Sequence, residues 1–324
     1  MTINMTTALY SHPDCKLHEM GAWHPEAPAR LSAIEDQLIA SQTAPFLEYR
    51  TAPLAELADI TRVHQLEMVE RIRLHTPLAY GGTLDQALTY FELDPDTSMN
   101  PHSWQAALRA AGAAVAATQA VIDGEIQNAF CAIRPPGHHA TSTASMGFCL
   151  FNNVAIAARY ALDVCGLERI AIVDFDVHHG NGTEDIFHND ARVLMVSFFQ
   201  HPLYPYSGVD PHGVQAHNMV NIPLPAYARG DATRNVVQQH WLPALHAHQP
   251  EMIFISAGFD AHREDDLSQM GLVESDYAWI TRQIMQIAES YSQGRIVSCL
   301  EGGYKLSALA RSAVAHIRTL ADLT

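Results

Sequence analysis

Apolar residues fall into two rhythms along this chain. In residues 28–40, 62–74, 101–122, 151–162, 231–246, 275–290 and 306–320, Leu, Ile, Val and Ala recur at helical spacing, and several of these segments open after Pro, Asn, Asp or Ser. Shorter apolar runs mark strands at 7–10, 129–133, 169–175, 193–198, 252–256 and 295–300. Helix and strand alternate through the second half, which predicts a parallel sheet covered by helices on both faces. No repeat, low-complexity tract or linker divides the sequence, so residues 1–324 read as one domain. Two long stretches, 78–100 and 200–220, carry neither rhythm. Loops of that length are uncommon unless functional, and both are expected at the rim of a substrate pocket.

Four strands end in reactive side chains. Residues 169–182, RIAIVDFDVHHGNG, run from Ile170, Ile172 and Val173 into Asp174, Asp176 and His178 at alternate positions, which places these three on one face of an extended segment. Burying them together is costly unless a cation or a hydrogen-bond network pairs them. Residues 129–139 (AFCAIRPPGHH), 252–262 (MIFISAGFDAH) and 295–304 (RIVSCLEGGY) repeat the design. Ligands of open parallel sheets sit outside the carboxyl ends of the strands, so four such ends describe one pocket.

The two carboxylates Asp176 and Asp260 and the imidazole of His178 suit one divalent cation such as Zn²⁺, with a position left for water. Such a cation acidifies its water and polarises a carbonyl. The bland alternative, an ordinary buried Asp–His network, does not explain the three other strand ends. His138 and His139 are consecutive, so only a bend in their loop brings both beside that water as base and acid. Asp174 is placed to hold one imidazole and Asn181 the other. Tyr304 follows Gly302–Gly303 and offers a phenol to a developing oxyanion.

Composition narrows the picture. The 324 residues are 48% hydrophobic, enough for a sizeable core. No run approaches the ~20 apolar residues that span a bilayer, and the opening MTINMTTALYSHPDC lacks the basic-then-apolar pattern of a secretory signal, so the expected location is cytoplasmic. A formal net charge of −16 argues against nucleic acid and favours cationic ligands such as amines or lysine-rich peptides. Five cysteines without a CxxC pair suggest neither a disulfide framework nor a zinc ribbon, and Cys149, close to the pocket in sequence, is a candidate for exposure there. His12, Cys15, His18 and His24 fit no compact zinc spacing and are assigned rim or hydrogen-bonding roles.

Together RPPGHHA, MGFCLFNN, VDFDVHHGNGT, SAGFDAH and EGGY, with the opening HPDC…HPEAPARL, resemble the class II branch of the histone deacetylase and acetylpolyamine amidohydrolase superfamily, bacterial members included, over nearly the whole chain. The resemblance implies an arginase/deacetylase-like α/β fold with a central, mostly parallel sheet of about eight strands. It implies Zn²⁺ on Asp176, His178 and Asp260, proton transfer by His138 and His139 with His139 the principal base, and Tyr304 as oxyanion donor. It sets Gly147 and Phe148 along a narrow acyl-lysine channel with Tyr204 opposite. It adds a structural K⁺ near Asp174, Asp176, His178, Ser197 and Phe198, and a second monovalent cation on backbone carbonyls around Phe187, Asp190, Val193 and Asn218. Polyamine-selective relatives carry an acidic gatekeeper after the last zinc aspartate. This chain aligns Leu267 there, beside Glu264, Asp265 and Asp266, which favours acyl-lysine. Relatives that are poor deacetylases replace the catalytic tyrosine with histidine, whereas Tyr304 is present here.

The expected activity is zinc-dependent hydrolysis of the acyl amide of acyl-lysine or a related acylated amine. An acetylpolyamine amidohydrolase is one alternative. A two-metal, arginase-like ureohydrolase wants further bridging carboxylates where His179, Gly180 and Asn181 stand. A non-catalytic acyl-lysine-binding protein has no use for His138, His139 and Tyr304 together. The expected partners are an acylated lysine peptide or acylated amine, with no nucleic acid and no membrane, and a homo-oligomer is left open.

Overall fold

A computed structural model describes residues 6–78, 89–209 and 216–323, so parts of both long irregular stretches, 79–88 and 210–215, lie outside the described residues. In chain order the elements are β1 (Thr7–Ser11), α1 (Ala29–Ala40), β2 (Glu48–Thr51), α2 (Leu57–Ile60), α3 (Leu66–His75), β3 (Phe91–Asp94), β4 (Thr97–Met99), α4 (Ser103–Ile122), β5 (Asn128–Cys131) and α5 (Asn153–Asp163). The chain continues with β6 (Ile170–Asp174), α6 (Asn181–Phe187), β7 (Val193–Gln200), β8 (Met219–Leu224), α7 (Gly230–Val236), α8 (Leu242–His248), β9 (Met252–Ala257), α9 (Glu274–Tyr291), β10 (Ile296–Leu300) and α10 (Leu306–Leu320).

Eight strands form one sheet in the order β2-β1-β5-β10-β9-β6-β7-β8, and every neighbouring pair is parallel. Parallel strands need covered faces, and β5, β6, β7, β9 and β10 are accordingly buried at every residue. The helix α4 packs on α5 and against β1, β5 and β10, while α1, α10 and α9 pack on one another as a second layer. Alanines let α4 lie close: a Cβ on Gly112 would run into the Pro53–Ala55 backbone. Among the described residues no helix is long and apolar enough to cross a membrane.

The differences from the sequence reading have local causes. The two sheet edges, β2 and β8, carry weak apolar signals: β2 is EYRT with no buried residue, and β8 contains Pro223, tolerated at an edge where no ladder donor is missed. The helix expected at 231–246 is instead α7, a π-helical turn at Val237–Trp241, and α8, which opens with a proline in its first turn. The stretch 78–100 contains the antiparallel hairpin β3–β4. The helix expected from residue 151 starts at Asn153, because the Asn152 side chain caps it by accepting from the Ala155 N–H at 3.0 Å.

Candidate active site

The carboxyl ends of β5, β10, β9 and β6, four consecutive strands of the sheet, converge on one pocket. The strand β6 stops at Asp174, and a pair of side-chain turns takes its place. Asp174 Oδ1 accepts from the Asp176 N–H at 3.0 Å, and Asp176 Oδ1 accepts from the His178 N–H at 2.9 Å. Each turn re-aims the next side chain. Asp174 points to the histidine loop, while Asp176 and His178 meet Asp260 from the end of β9, with one ligand atom of each within 4.8 Å of the others.

This trio could hold a cation. His178 Nδ1 faces Asp176 Oδ1 at 3.0 Å and Asp260 Oδ2 at 3.1 Å. Burial alone would lower the pKa of His178, but the two carboxylates outweigh it and push it up to about 10. The same pull is available to a metal ion. Asp260 is fully buried, its Oδ2 has no hydrogen-bond partner among the described residues, and burial with the nearby Asp176 charge pushes its carboxyl up to about 6. The other lone pairs are spoken for: Asp260 Oδ1 accepts from the Val177 N–H at 2.9 Å, and Asp176 Oδ2 from the Gly302 N–H at 2.8 Å. Gly258 and Gly302 leave the space. A Cβ at Gly258 would strike Asp176, and one at Gly302 would strike both carboxylates.

The loop after β5 brings His138 and His139 together, their ring centroids 4.0 Å apart. His138 Nδ1 lies 2.9 Å from Asp174 Oδ2, and His139 Nδ1 lies 2.8 Å from Asn181 Oδ1. Those partners set opposite charge states. Burial lowers the pKa of both rings, but for His138 the Asp174 and Asp176 carboxylates win and hold it well above its ordinary value. For His139 burial is joined by the His138 and His178 charges, which keep it neutral.

A pocket of about 240 Å³ leads from these groups to solvent, lined by His139, His178, Gly147, Phe148, Tyr204, Leu267 and Tyr304, with Asp96, Leu203 and Tyr206. Its wall is strained. Gly147 and Phe148 have φ of 58° and 69°, a conformation that costs a bulky residue on the order of 1–3 kcal/mol. They are held there by the β3–β4 turn, because the Gly147 N–H donates to Asp96 Oδ1 at 3.2 Å and the Phe148 N–H to Thr97 Oγ1 at 2.9 Å. A side chain on Gly147 would overlap the His139 ring. A wider cleft of about 890 Å³, lined by Arg229, Arg263 and Asp231 among others, contains none of the ligand or histidine side chains.

The remaining candidates fall outside the pocket lining. Ser197 pairs with Asp174 in the β6–β7 register and donates to Asn221 Oδ1 at 2.8 Å, and the Phe198 ring stacks on Trp241. The carbonyls of Phe187, Asp190 and Val193 converge on the Asn218 side-chain amide, whose Nδ2 donates to them at 2.8, 3.1 and 3.0 Å. Cys149 is not exposed. It is fully buried, with Sγ turned back to Gly147 O at 3.3 Å. His12, His18 and His24 make hydrogen bonds to Asp14 N, Ser103 Oγ and Glu26 N, and the His24 ring also packs edge-on against Phe148.

Three residues with a direct part in the site were given no role there from the sequence. Asp96 reaches the pocket from the β3–β4 turn. Asp265 Oδ2 accepts from the Tyr304 N–H at 2.6 Å and the Lys305 N–H at 3.0 Å. Arg30, the buried arginine of HPEAPARL, donates to Gly303 O at 2.7 Å and lies 5.0 Å from the centroid of the Tyr304 ring.

Known proteins resemble this chain along its length. Residues 24–320 match the histone deacetylase domain. The chain is 38% identical to a probable deacetylase of Archaeoglobus fulgidus over 93% of this chain and 82% of that one. It is 37% identical to a histone deacetylase-like amidohydrolase of Pseudomonas aeruginosa over 87% of this chain and 73% of that one. The crystal structure of the HDA15 HD domain superposes with a TM-score of 0.87 at 32% identity, covering 98% of this chain and 89% of that one. The chain belongs to the histone deacetylase family, and its fold is the arginase/deacetylase-like one of that family.

Proposed function

We propose that the protein is a zinc-dependent deacetylase that hydrolyses the acyl amide of an acyl-lysine side chain or a related acylated amine, with Asp176, His178 and Asp260 as the zinc ligands. The observation that carries this reading is the buried Asp260 Oδ2, whose one close polar neighbour among the described residues is His178 Nδ1 at 3.1 Å, in a trio that opens on a neutral His139. When bound there, zinc supplies a Lewis acid that acidifies water and polarises the acyl carbonyl.

The chain's own residues do the rest. Phe148 and Tyr204 grip the methylene stem, and Leu267 gives the mouth an apolar side where an acid would favour polyamines. His139, neutral and oriented by Asn181, takes the proton of the attacking water and returns it to the leaving amine. His138, positively charged against Asp174, stabilises the negative charge that builds beside it. Tyr304 donates its phenol to the developing oxyanion. A structural K⁺ beside Asp174, Asp176, His178, Ser197 and Phe198 belongs to the same proposal, and a dependence of activity on KCl at constant ionic strength checks it.

Elemental analysis together with turnover of a fluorogenic acetyl-lysine substrate, before and after chelation, tests the reading. One zinc per chain and activity restored by zinc are expected. Full zinc occupancy in Asp260→Ala contradicts the ligand set. A substrate panel in which acetylspermidine or acetylputrescine has a far higher kcat/KM than every acyl-lysine shifts the assignment to polyamines.

A further inference from the structure

One carboxylate at the heart of the molecule neither binds the proposed metal nor moves a proton in the proposed reaction. Glu301 follows β10 directly and is fully buried. Its N–H donates to Ala257 O at 3.0 Å, and its carbonyl accepts from the Arg30 guanidinium. With both backbone groups anchored, the side chain crosses to the loop after the neighbouring strand β5. That loop reads Arg134-Pro135-Pro136-Gly137-His138-His139, and its two prolines have no N–H to give. The next two donors, the N–H groups of Gly137 and His138, both point at one oxygen, Glu301 Oε2, at 2.6 and 3.1 Å.

What hangs from those two amides is the proton-handling pair. The Ala140 N–H closes the turn onto Gly137 O at 3.0 Å, and from it the two imidazoles reach Asp174 and Asn181. The loop cannot shift toward α5 freely, because a Cβ at Gly137 would already press on the Asn153 backbone. The other oxygen, Glu301 Oε1, has no partner among the described residues, and Arg30 binds the carbonyl of Glu301 rather than its carboxylate. Burial pushes its carboxyl up to about 7 against the pull of the nearby His138 charge, and its direct contacts are the two amides rather than a guanidinium or an imidazole. A buried polar group with an idle oxygen is costly, and an apolar filler would be less so.

We propose that Glu301 is a positioning residue: its carboxyl clamps the Gly137–His138 peptide and so sets where both imidazoles stand. The kinetic side of this rests on the deacetylase reading, and the geometric side does not. What matters is the acceptor and its reach, so an amide of equal length serves and a shorter acid fails. Misplacing catalytic groups by about 1 Å costs on the order of 10²-fold in rate.

Glu301→Gln should stay within about threefold of wild-type kcat, whereas Glu301→Asp and Glu301→Ala should fall about 10²-fold with KM changed less than about threefold. A readout independent of turnover is the low-field imidazole proton of His138 against Asp174, seen by NMR of ¹⁵N-histidine-labelled, zinc-loaded protein. It should persist in Glu301→Gln and be lost in Glu301→Asp and Glu301→Ala. If Glu301→Ala does not fold, the Gln and Asp variants decide. An Asp variant with wild-type kcat and resonance, a Gln variant as impaired as Ala, or a loss expressed only in KM overturns the proposal. If the wild type hydrolyses no acyl amide while the resonances behave as stated, the deacetylase reading falls and the clamp stands.

Discussion

His138 and His139 differ in charge because of what each nitrogen touches. A carboxylate makes one ring an ion, and an amide only orients the other. The same logic supports the transition-state role proposed for Tyr304. Its ring is wedged between Phe148, edge-on at 5.7 Å, and the Arg30 guanidinium, and its backbone is tied to Asp265, so the phenol is set before charge develops. Tyr304→Phe should keep zinc and hydroxamate binding and lose ~10²–10³ in kcat and in kcat/KM alike. A wild-type kcat in that variant would make Tyr304 a packing residue. Side chains that meet side chains were legible in the sequence: Asp174 and Asn181 stand at a strand end and a helix start where an imidazole partner is a natural inference. Asp96, Asp265 and Glu301 act on peptide N–H groups, and which amide a carboxylate meets depends on strand order, for which residue type leaves no mark.

At the scale of elements, the site lives on strand ends whose backbone is shaped for it. The turns after β6 replace the expected extended segment with two side-chain-capped steps, so the alternate spacing of Asp174, Asp176 and His178 predicted a shared location for the wrong local reason. The buried strands were legible because burial on both faces demands continuous apolar runs. The edges β2 and β8 and the hairpin β3–β4 were not, since half-exposed strands need no such run. Gly302 shows how little slack the strand ends have. Gly302→Ala keeps the chain's backbone range but puts a methyl between the two carboxylates. It should lose most bound zinc and nearly all turnover while the protein still unfolds cooperatively. Stoichiometric zinc in that variant would place the ion elsewhere.

The whole molecule carries a charge of −16, and away from the site two of its buried histidines exclude protons. His18 and His316 are fully buried, and burial lowers both to about 3, the Arg134 charge adding to the effect at His18. His316 sits neutral between Thr281 Oγ1 at 2.6 Å and Ser298 Oγ at 2.9 Å. In the unfolded chain a histidine titrates near ~6.5. Below that pH the unfolded state binds the proton and the folded state does not, so the stability each residue contributes is complete above pH ~6.5 and drains away as pH falls toward the folded value. Between pH 7 and 5 each should cost about 2 kcal/mol. Urea unfolding of wild type and His316→Gln at both pH values isolates one residue, because other titrating groups cancel in the difference. A pH dependence identical in the two proteins would contradict the assignment.

The position of β10 has a consequence for how such a molecule comes into being. It is the last strand to be synthesised, yet it lies in the middle of the sheet, joining β2-β1-β5 to β9-β6-β7-β8. Until β10 is made, the edges of β5 and β9 that it pairs with lack their partner, and unpaired edges of that kind invite mispairing. All three proposed zinc ligands belong to the second half and exist once residue 260 has been made. The histidines belong to the first half, and Glu301, Gly302 and Tyr304 arrive only with the joining strand. A nascent chain thus holds all three proposed zinc ligands some forty residues before the proposed oxyanion donor, Tyr304, has been made.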